Sequence, residues 1–171
     1  MYVLSSARGR ARQMNAGARA ADADILLFLH ADTILPDGAL DRVRDAVANG
    51  ALWGRFDVRL SGRRRAFRVI EFFMNLRSAC TGIVTGDQAL FVRRDAFRWL
   101  NGFAPIELME DVELSTRLKW LARPYRIRTP VSTSSRRWER DGVVATVLRM
   151  WLLRALYAFG VSPRRLARWY K

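Results

Sequence analysis

The chain has 171 residues, half of them hydrophobic, and 30 basic against 16 acidic side chains give it a net charge of +14. That length suits one domain burying roughly 70% of its unfolded surface, and the apolar share excludes intrinsic disorder. The lone Cys80 excludes an intramolecular disulfide, no charge-free apolar run reaches the roughly 18 residues of a membrane span, and Met1–Ser6 is too short and polar for a secretory leader, so a reducing, cytoplasmic setting is expected.

All the basic residues except Lys119 and Lys171 are arginines. The guanidinium fork suits phosphate, although arginine-favouring codon usage explains the bias better. The charge is uneven. Residues 136–171 carry nine basic side chains against Glu139 and Asp141, so this tail is expected to face something anionic.

In chain order, Arg10–Ala21 reads as a short helix with Ala11, Met14, Ala18 and Ala21 on one face. Ile25–Ala31 is apolar without alternation, the pattern of a parallel strand covered on both faces. Pro36-Asp37-Gly38 opens a helix with Leu40, Val43 and Val47 as its buried stripe. Phe56, Val58 and Leu60 alternate with Arg55, Asp57 and Arg59, predicting a strand with one wet face. Phe67–Leu76 is an apolar helix, and Ala89–Val92 a short buried strand ahead of a helix capped by Asp95.

Asp111–Leu121 places Leu114, Leu118 and Leu121 on one helical face and pairs Glu113 with Arg117. Pro124 and Tyr125 begin a predicted edge strand through Thr129. Val143–Phe159 is a long apolar helix broken by Gly160, and Pro163 starts a last basic one. The order predicts an α/β fold with a mostly parallel sheet, flanking helices and an antiparallel addition. Its core is expected over 1–142, followed by amphipathic basic helices over 143–171.

Chemistry concentrates where the first strand ends. In open α/β sheets ligands bind at the carboxyl edge of strands, and Ile25–Leu29 runs directly into His30-Ala31-Asp32-Thr33. A single carboxylate there, with His30 on the same face, can hold a divalent ion whose other ligands come from substrate phosphates. A capping aspartate before Pro36 is the alternative. Glu110-Asp111 opens a helix, where the dipole favours an ionised carboxylate able to accept a proton, or merely caps the helix.

Three further segments carry polar groups. The stretch Gly9–Gly17 brings its arginines, Arg10 and Arg12, with Asn15 between glycines that permit close approach to a diphosphate or nucleobase, although a solvated basic face explains it nearly as well. Thr85-Gly86-Asp87-Gln88 can bond sugar hydroxyls or form an ordinary turn. Arg136, Arg137 and Trp138 can grip phosphates beside an aromatic platform or lie on a charged surface.

As an ordered set, GRARQMNAG, LLFLHADT, TGDQALFVRR and MEDVELSTRL resemble family-2 glycosyltransferases of the GT-A fold, most closely a bacterial subgroup associated with arsenosugar biosynthesis. The resemblance implies inverting transfer of a sugar from a nucleotide-sugar donor, supported by Mg²⁺ or Mn²⁺. It implies Asp32 at the metal and diphosphate, Asp111 as the base with Glu110 beside it, and Arg12, Asn15, Gly17 and His30 on the donor side. Gly86, Asp87 and Gln88 fall on the acceptor side, and Ser134–Trp138 resembles a Gln-x-x-Arg-Trp motif with serine first.

The chain departs from the family by having His30 where an aspartate is common, and it looks like the family minus its opening strands. An exposed apolar edge on the Ile25 strand then favours a homodimer. The 143–159 helix, with Arg149 and Arg154 intruding, either packs on the domain or lies in a membrane interface, which adds a peripheral inner-membrane location to the cytoplasmic one. Competing functions are a truncated, non-catalytic remnant and a polyanion-binding module. Nucleic acid is disfavoured because the aromatics sit in apolar helices rather than between arginines.

Overall fold

A computed structural model describes residues 3–170, so Met1 and Tyr2 of the opening segment and the terminal Lys171 lie outside the description. Its elements are α1 (Arg10–Ala20), β1 (Ile25–Phe28), β2 (Thr33–Ile34), α2 (Ala39–Ala48), β3 (Trp53–Leu60) and α3 (Arg65–Thr81). A 3-10 turn (Gly86–Gln88), β4 (Leu90–Arg93), α4 (Arg94–Trp99) and α5 (Glu110–Leu121) follow, then β5 (Tyr125–Thr133), α6 (Arg136–Asp141), α7 (Val143–Ala158) and α8 (Pro163–Tyr170).

The strands form one sheet in the order β1-β4-β3-β5-β2. The α/β class stands, but the expectation of a mostly parallel sheet is corrected. Only β3 and β5 run parallel, whereas β1–β4, β3–β4 and β2–β5 are antiparallel. The unbroken apolar run of β1 records cover on both faces, whatever its neighbour's direction. Leu26 packs with Ala11, Ala18 and Phe97 on one side, and Ile25 and Leu27 pack toward Val43 and Phe91 on the other. The outer edge of β1 has no strand partner among the described residues.

Of the wet face predicted for β3, only Arg59 is exposed. Arg55 and Asp57 are buried, because α3 crosses that face and β5 supplies a cation. Arg55 donates to Asp57 at 2.7 Å and to the Asn75 carbonyl at 3.2 Å. Arg126 from β5 donates to both Asp57 oxygens at 2.8 Å. The Asn75 side chain pairs with the Val58 N–H and C=O. Burial disfavours the Asp57 charge, but the two guanidiniums outweigh it and hold the carboxyl below its usual range. Every polar group of this cluster is engaged.

β5 runs to Thr133 rather than stopping at Thr129, and it lies inside the sheet. Phe56 pairs with Ile127 while Asp57 pairs with Pro130. The bulge between them takes up Arg128 and Thr129 and accommodates a residue without an N–H. In α2 the buried residues are Ala39, Val43 and Ala46; Leu40, placed in the stripe by sequence, is exposed. Asp95 lies in the first turn of α4, with Arg93 at the cap position. The two C-terminal helices dock through Leu153 and Leu166 on Leu108 and Met109, immediately ahead of α5.

Candidate active site

β1 delivers His30 and Asp32 into a turn closed by the Thr33 N–H on the His30 carbonyl at 3.0 Å. Behind the imidazole, Phe28 meets Phe103 edge-on at 4.8 Å between ring centroids. In front, His30 abuts Gly86 so closely that a Cβ there would collide with the His30 ring and the Arg10 guanidinium. Only glycine allows that approach.

Arg10, from the first turn of α1, brings Nη2 to 2.5 Å from His30 Nε2 and Nε to 3.1 Å from Glu110 Oε1. The second contact is an ion pair without hydrogen-bond alignment. Both Glu110 oxygens are therefore buried without a hydrogen bond among the described residues, although Glu110 is only 1% exposed. Burial raises the Glu110 pKa, opposed by Arg10 and reinforced by Asp111. Such a group is unstable where it stands unless something else requires its charge.

Asp111 takes the other side of the cleft. Its Oδ2 accepts the Gly86 N–H at 2.8 Å and its Oδ1 accepts the Val112 N–H at 2.8 Å. The Gly86–Gln88 turn is fixed by Thr85, whose N–H donates to Gln88 Oε1 at 3.2 Å, while Asp87 Oδ1 and Gln88 Nε2 are buried without partners among the described residues. Burial, and then Arg10, push the His30 pKa below its usual value, while Asp87, Asp111 and Asp32 oppose them. His30 and Asp111 line one small cavity with Arg10 and Gly86, whereas Asp32 is exposed and does not line it.

The backbone is strained on both sides. Ala89, just after the turn, has φ 47°, and Met109, just before Glu110, has φ 69°. Left-handed geometry costs roughly 1–2 kcal/mol for a residue with a Cβ, and strain of this kind gathers at functional sites. The cavity among Arg10, Phe28, His30, Gly86, Phe103 and Asp111 is only about 10 Å³.

Other expected residues are placed elsewhere. Asn15 is engaged by Phe103, donating to its carbonyl at 2.8 Å and accepting its N–H at 2.9 Å. Arg12 and Gly17 are exposed. A Cβ at Gly17 would meet nothing within 4 Å. Arg137 stacks on Tyr170 with its Cζ 4.5 Å from the ring centroid, and Trp138 packs against the Leu60–Phe67–Ile70 cluster. Arg136 bonds back to the Ser134 hydroxyl at 3.1 Å. This segment meets the strand-end turn only where the Ser134 N–H donates to the Asp32 carbonyl at 3.2 Å. A larger cavity of about 260 Å³ opens among Asn15, Arg19, Leu26, Arg94 and Asn101, on a different side of α1.

Of the two arginines singled out in Gly9–Gly17, Arg10, one turn before Met14, reaches His30 and Glu110, whereas Arg12 is exposed away from them. One further cation, Arg77, carried no sequence signal. Arg77 of α3 donates to the Ile83 carbonyl and to Thr85 Oγ1, both at 3.3 Å. Burial and the charge of Arg154 lower its pKa to about 10, against the pull of Asp87 and Asp111.

The donor set does not fit a divalent ion held by the protein. Among the described residues no three His, Cys, Asp or Glu side chains converge as ligands, and His30 Nε2 is taken by the Arg10 guanidinium. Asp32 stands as a lone exposed carboxylate.

No curated protein matches the chain. The family model for glycosyl transferase family 2 matches residues 1–101. That match takes in α1, β1, the His30–Asp32 turn and the Gly86–Gln88 turn, and stops before Glu110 and Asp111. Since it covers more than half of the 171 residues, the chain belongs to glycosyl transferase family 2.

Proposed function

We propose that this chain is an inverting glycosyltransferase in which Asp111 acts as the base on an acceptor hydroxyl. The observation that carries this reading is the bond from the Gly86 N–H to Asp111 Oδ2. It aims a carboxylate from the start of α5 into a cleft that also holds His30, Arg10 and Asp87. The acceptor O–H gives its proton to Asp111 as its oxygen attacks the anomeric carbon. The bond from that carbon to the diphosphate breaks on the opposite face, and the nucleoside diphosphate leaves with the electron pair. One displacement inverts the centre.

Arg10 is the cation that faces the leaving diphosphate in this reading, and it moves off Glu110 when the donor enters. Glu110 keeps Arg10 at the mouth of the cleft while the donor is absent. Asp32 flanks the diphosphate, and Asp87 and Gln88, with unpartnered polar atoms beside the base, meet acceptor hydroxyls. The arsenosugar assignment of the subgroup and the expected Mg²⁺ or Mn²⁺ rest on resemblance alone, and no step here passes through an ion.

The test is calorimetry of UDP and of GDP titrated into the full chain and into Arg10→Ala and Asp111→Asn. Binding of one nucleotide by the wild type, weakened in Arg10→Ala and kept in Asp111→Asn, is expected. Heat from neither nucleotide contradicts the reading. The unpaired edge of β1 supports a homodimer built by strand addition; a one-chain mass by light scattering contradicts that association.

A further inference from the structure

α3 and α7 are neighbours. Val143 at the start of α7 packs with Phe67, Ile70 and Met74 of α3, and Arg154, farther along α7, lies close enough to act on Arg77 of α3. Each helix buries one side and presents an apolar opposite side. On α3, Phe67, Ile70 and Ser78 face inward, while Val69, Phe72, Phe73 and Leu76 are 44% to 62% exposed. Their spacing of i, i+3, i+4 and i+7 makes one stripe. On α7, Thr146 and Leu153 face inward, while Val144, Leu148, Trp151 and Leu152 are 59% to 70% exposed. Those four fall at i, i+4, i+7 and i+8, again one stripe. Single exposed apolar residues are ordinary, but two stripes on adjacent helices are not.

Uncompensated cations border them. Arg63, Arg64 and Arg65 sit at the start of α3, and Arg164, Arg165 and Arg168 lie on α8 just beyond α7. All six are exposed, and none pairs with a carboxylate among the described residues. We infer that the α3–α7 face seats on the surface of a bilayer carrying anionic lipids, with the stripes at the acyl boundary and the arginines at lipid phosphates. No helix among the described residues is long and apolar enough to cross a membrane, so the contact is peripheral. A second copy is a poorer occupant, because a two-fold contact through this face would set like-charged arginines against each other.

The inference stands on this face and not on the reaction. It does bear on the site, because Arg77 reaches from α3 to Thr85 beside the Gly86–Gln88 turn. α3 therefore runs between this face and the turn beside the cleft.

Flotation of the full chain with vesicles of phosphatidylcholine, alone or mixed with phosphatidylglycerol, tests this at physiological salt. The wild type is expected to float with the anionic vesicles and little with the neutral ones. The α3 double variant Phe72→Glu/Phe73→Glu, and separately Trp151→Glu on α7, are each expected to float about tenfold less. These side chains are exposed, and an unchanged circular dichroism spectrum checks that each variant folds. Flotation of both variants equal to wild type would overturn the inference, since charge alone then explains adsorption. So would failure of the wild type to float, whether it is monomeric or held in a dimer that the same substitutions dissociate.

Discussion

The Arg55–Asp57–Arg126 cluster under α3 and the Arg10–His30–Glu110–Asp111 cluster beyond β1 both hold charge away from bulk water, but only the first satisfies it. Asp57 receives three guanidinium hydrogen bonds, and Arg55 also reaches the Asn75 carbonyl. Glu110 receives none, although it is more deeply buried than Asp57. Buried charge that is fully bonded serves the fold; buried charge left open, beside strained backbone, is the pattern expected of a ligand site. Stability and activity should therefore separate between the two clusters.

The largest effect on stability is expected at the satisfied cluster. Asp57→Ala leaves Arg55 buried without its anion and should cost about 3–5 kcal/mol in chemical denaturation. A loss under about 1 kcal/mol would mean the cluster is not the structural tie described here. Next comes Gly86→Ala, which forces a methyl against His30 and Arg10. It should lower stability by about 1–3 kcal/mol and abolish nucleotide-sugar turnover, because the N–H that aims Asp111 must shift with the turn. Retained turnover would show that the close approach is incidental.

The smallest expected shift has the opposite sign. Glu110→Gln removes a charge that burial disfavours and should raise stability at neutral pH by about 1 kcal/mol. The folded pKa of Glu110 is raised by burial, so its contribution is fully present below the unfolded value near 4.5 and is lost as pH rises through the folded one. The advantage of the glutamine variant should grow over that interval in thermal unfolding. His30 acts the other way: burial and then Arg10 lower its pKa, so stability falls as pH drops below the usual 6.5 toward the folded value. A pH profile identical in Glu110→Gln and wild type would contradict the comparison.

Much of the site's frame was legible in the sequence. An apolar run ending in His-Ala-Asp, and acids ahead of a leucine-striped helix, place carboxylates at element ends, and element ends converge in α/β folds. The failures share one cause. The polar face of β3 reads as wet because the groups that cover it come from far along the chain; Arg126 is 69 residues from Asp57. Trp138 reads as a stacking platform because nothing local shows that it packs on Phe67. Strand direction was misread because burial on two faces, not parallel pairing, writes the unbroken apolar pattern. Arg12 was chosen over Arg10 by motif position, where helical phase would have favoured Arg10.

Turnover of a nucleotide sugar by Asp111→Asn, measured beside its unfolding midpoint, tests the open cluster most directly. The amide keeps the shape and one acceptor oxygen for the Gly86 N–H, gives up the bond from the Val112 N–H, and cannot take a proton. Loss of at least about a hundredfold in rate, with nucleotide affinity unchanged and stability lowered by no more than about the 1 kcal/mol of one hydrogen bond, is the predicted result. Unchanged turnover in a folded variant would show that the reacting proton leaves by another route, and the assignment of this cleft would fall.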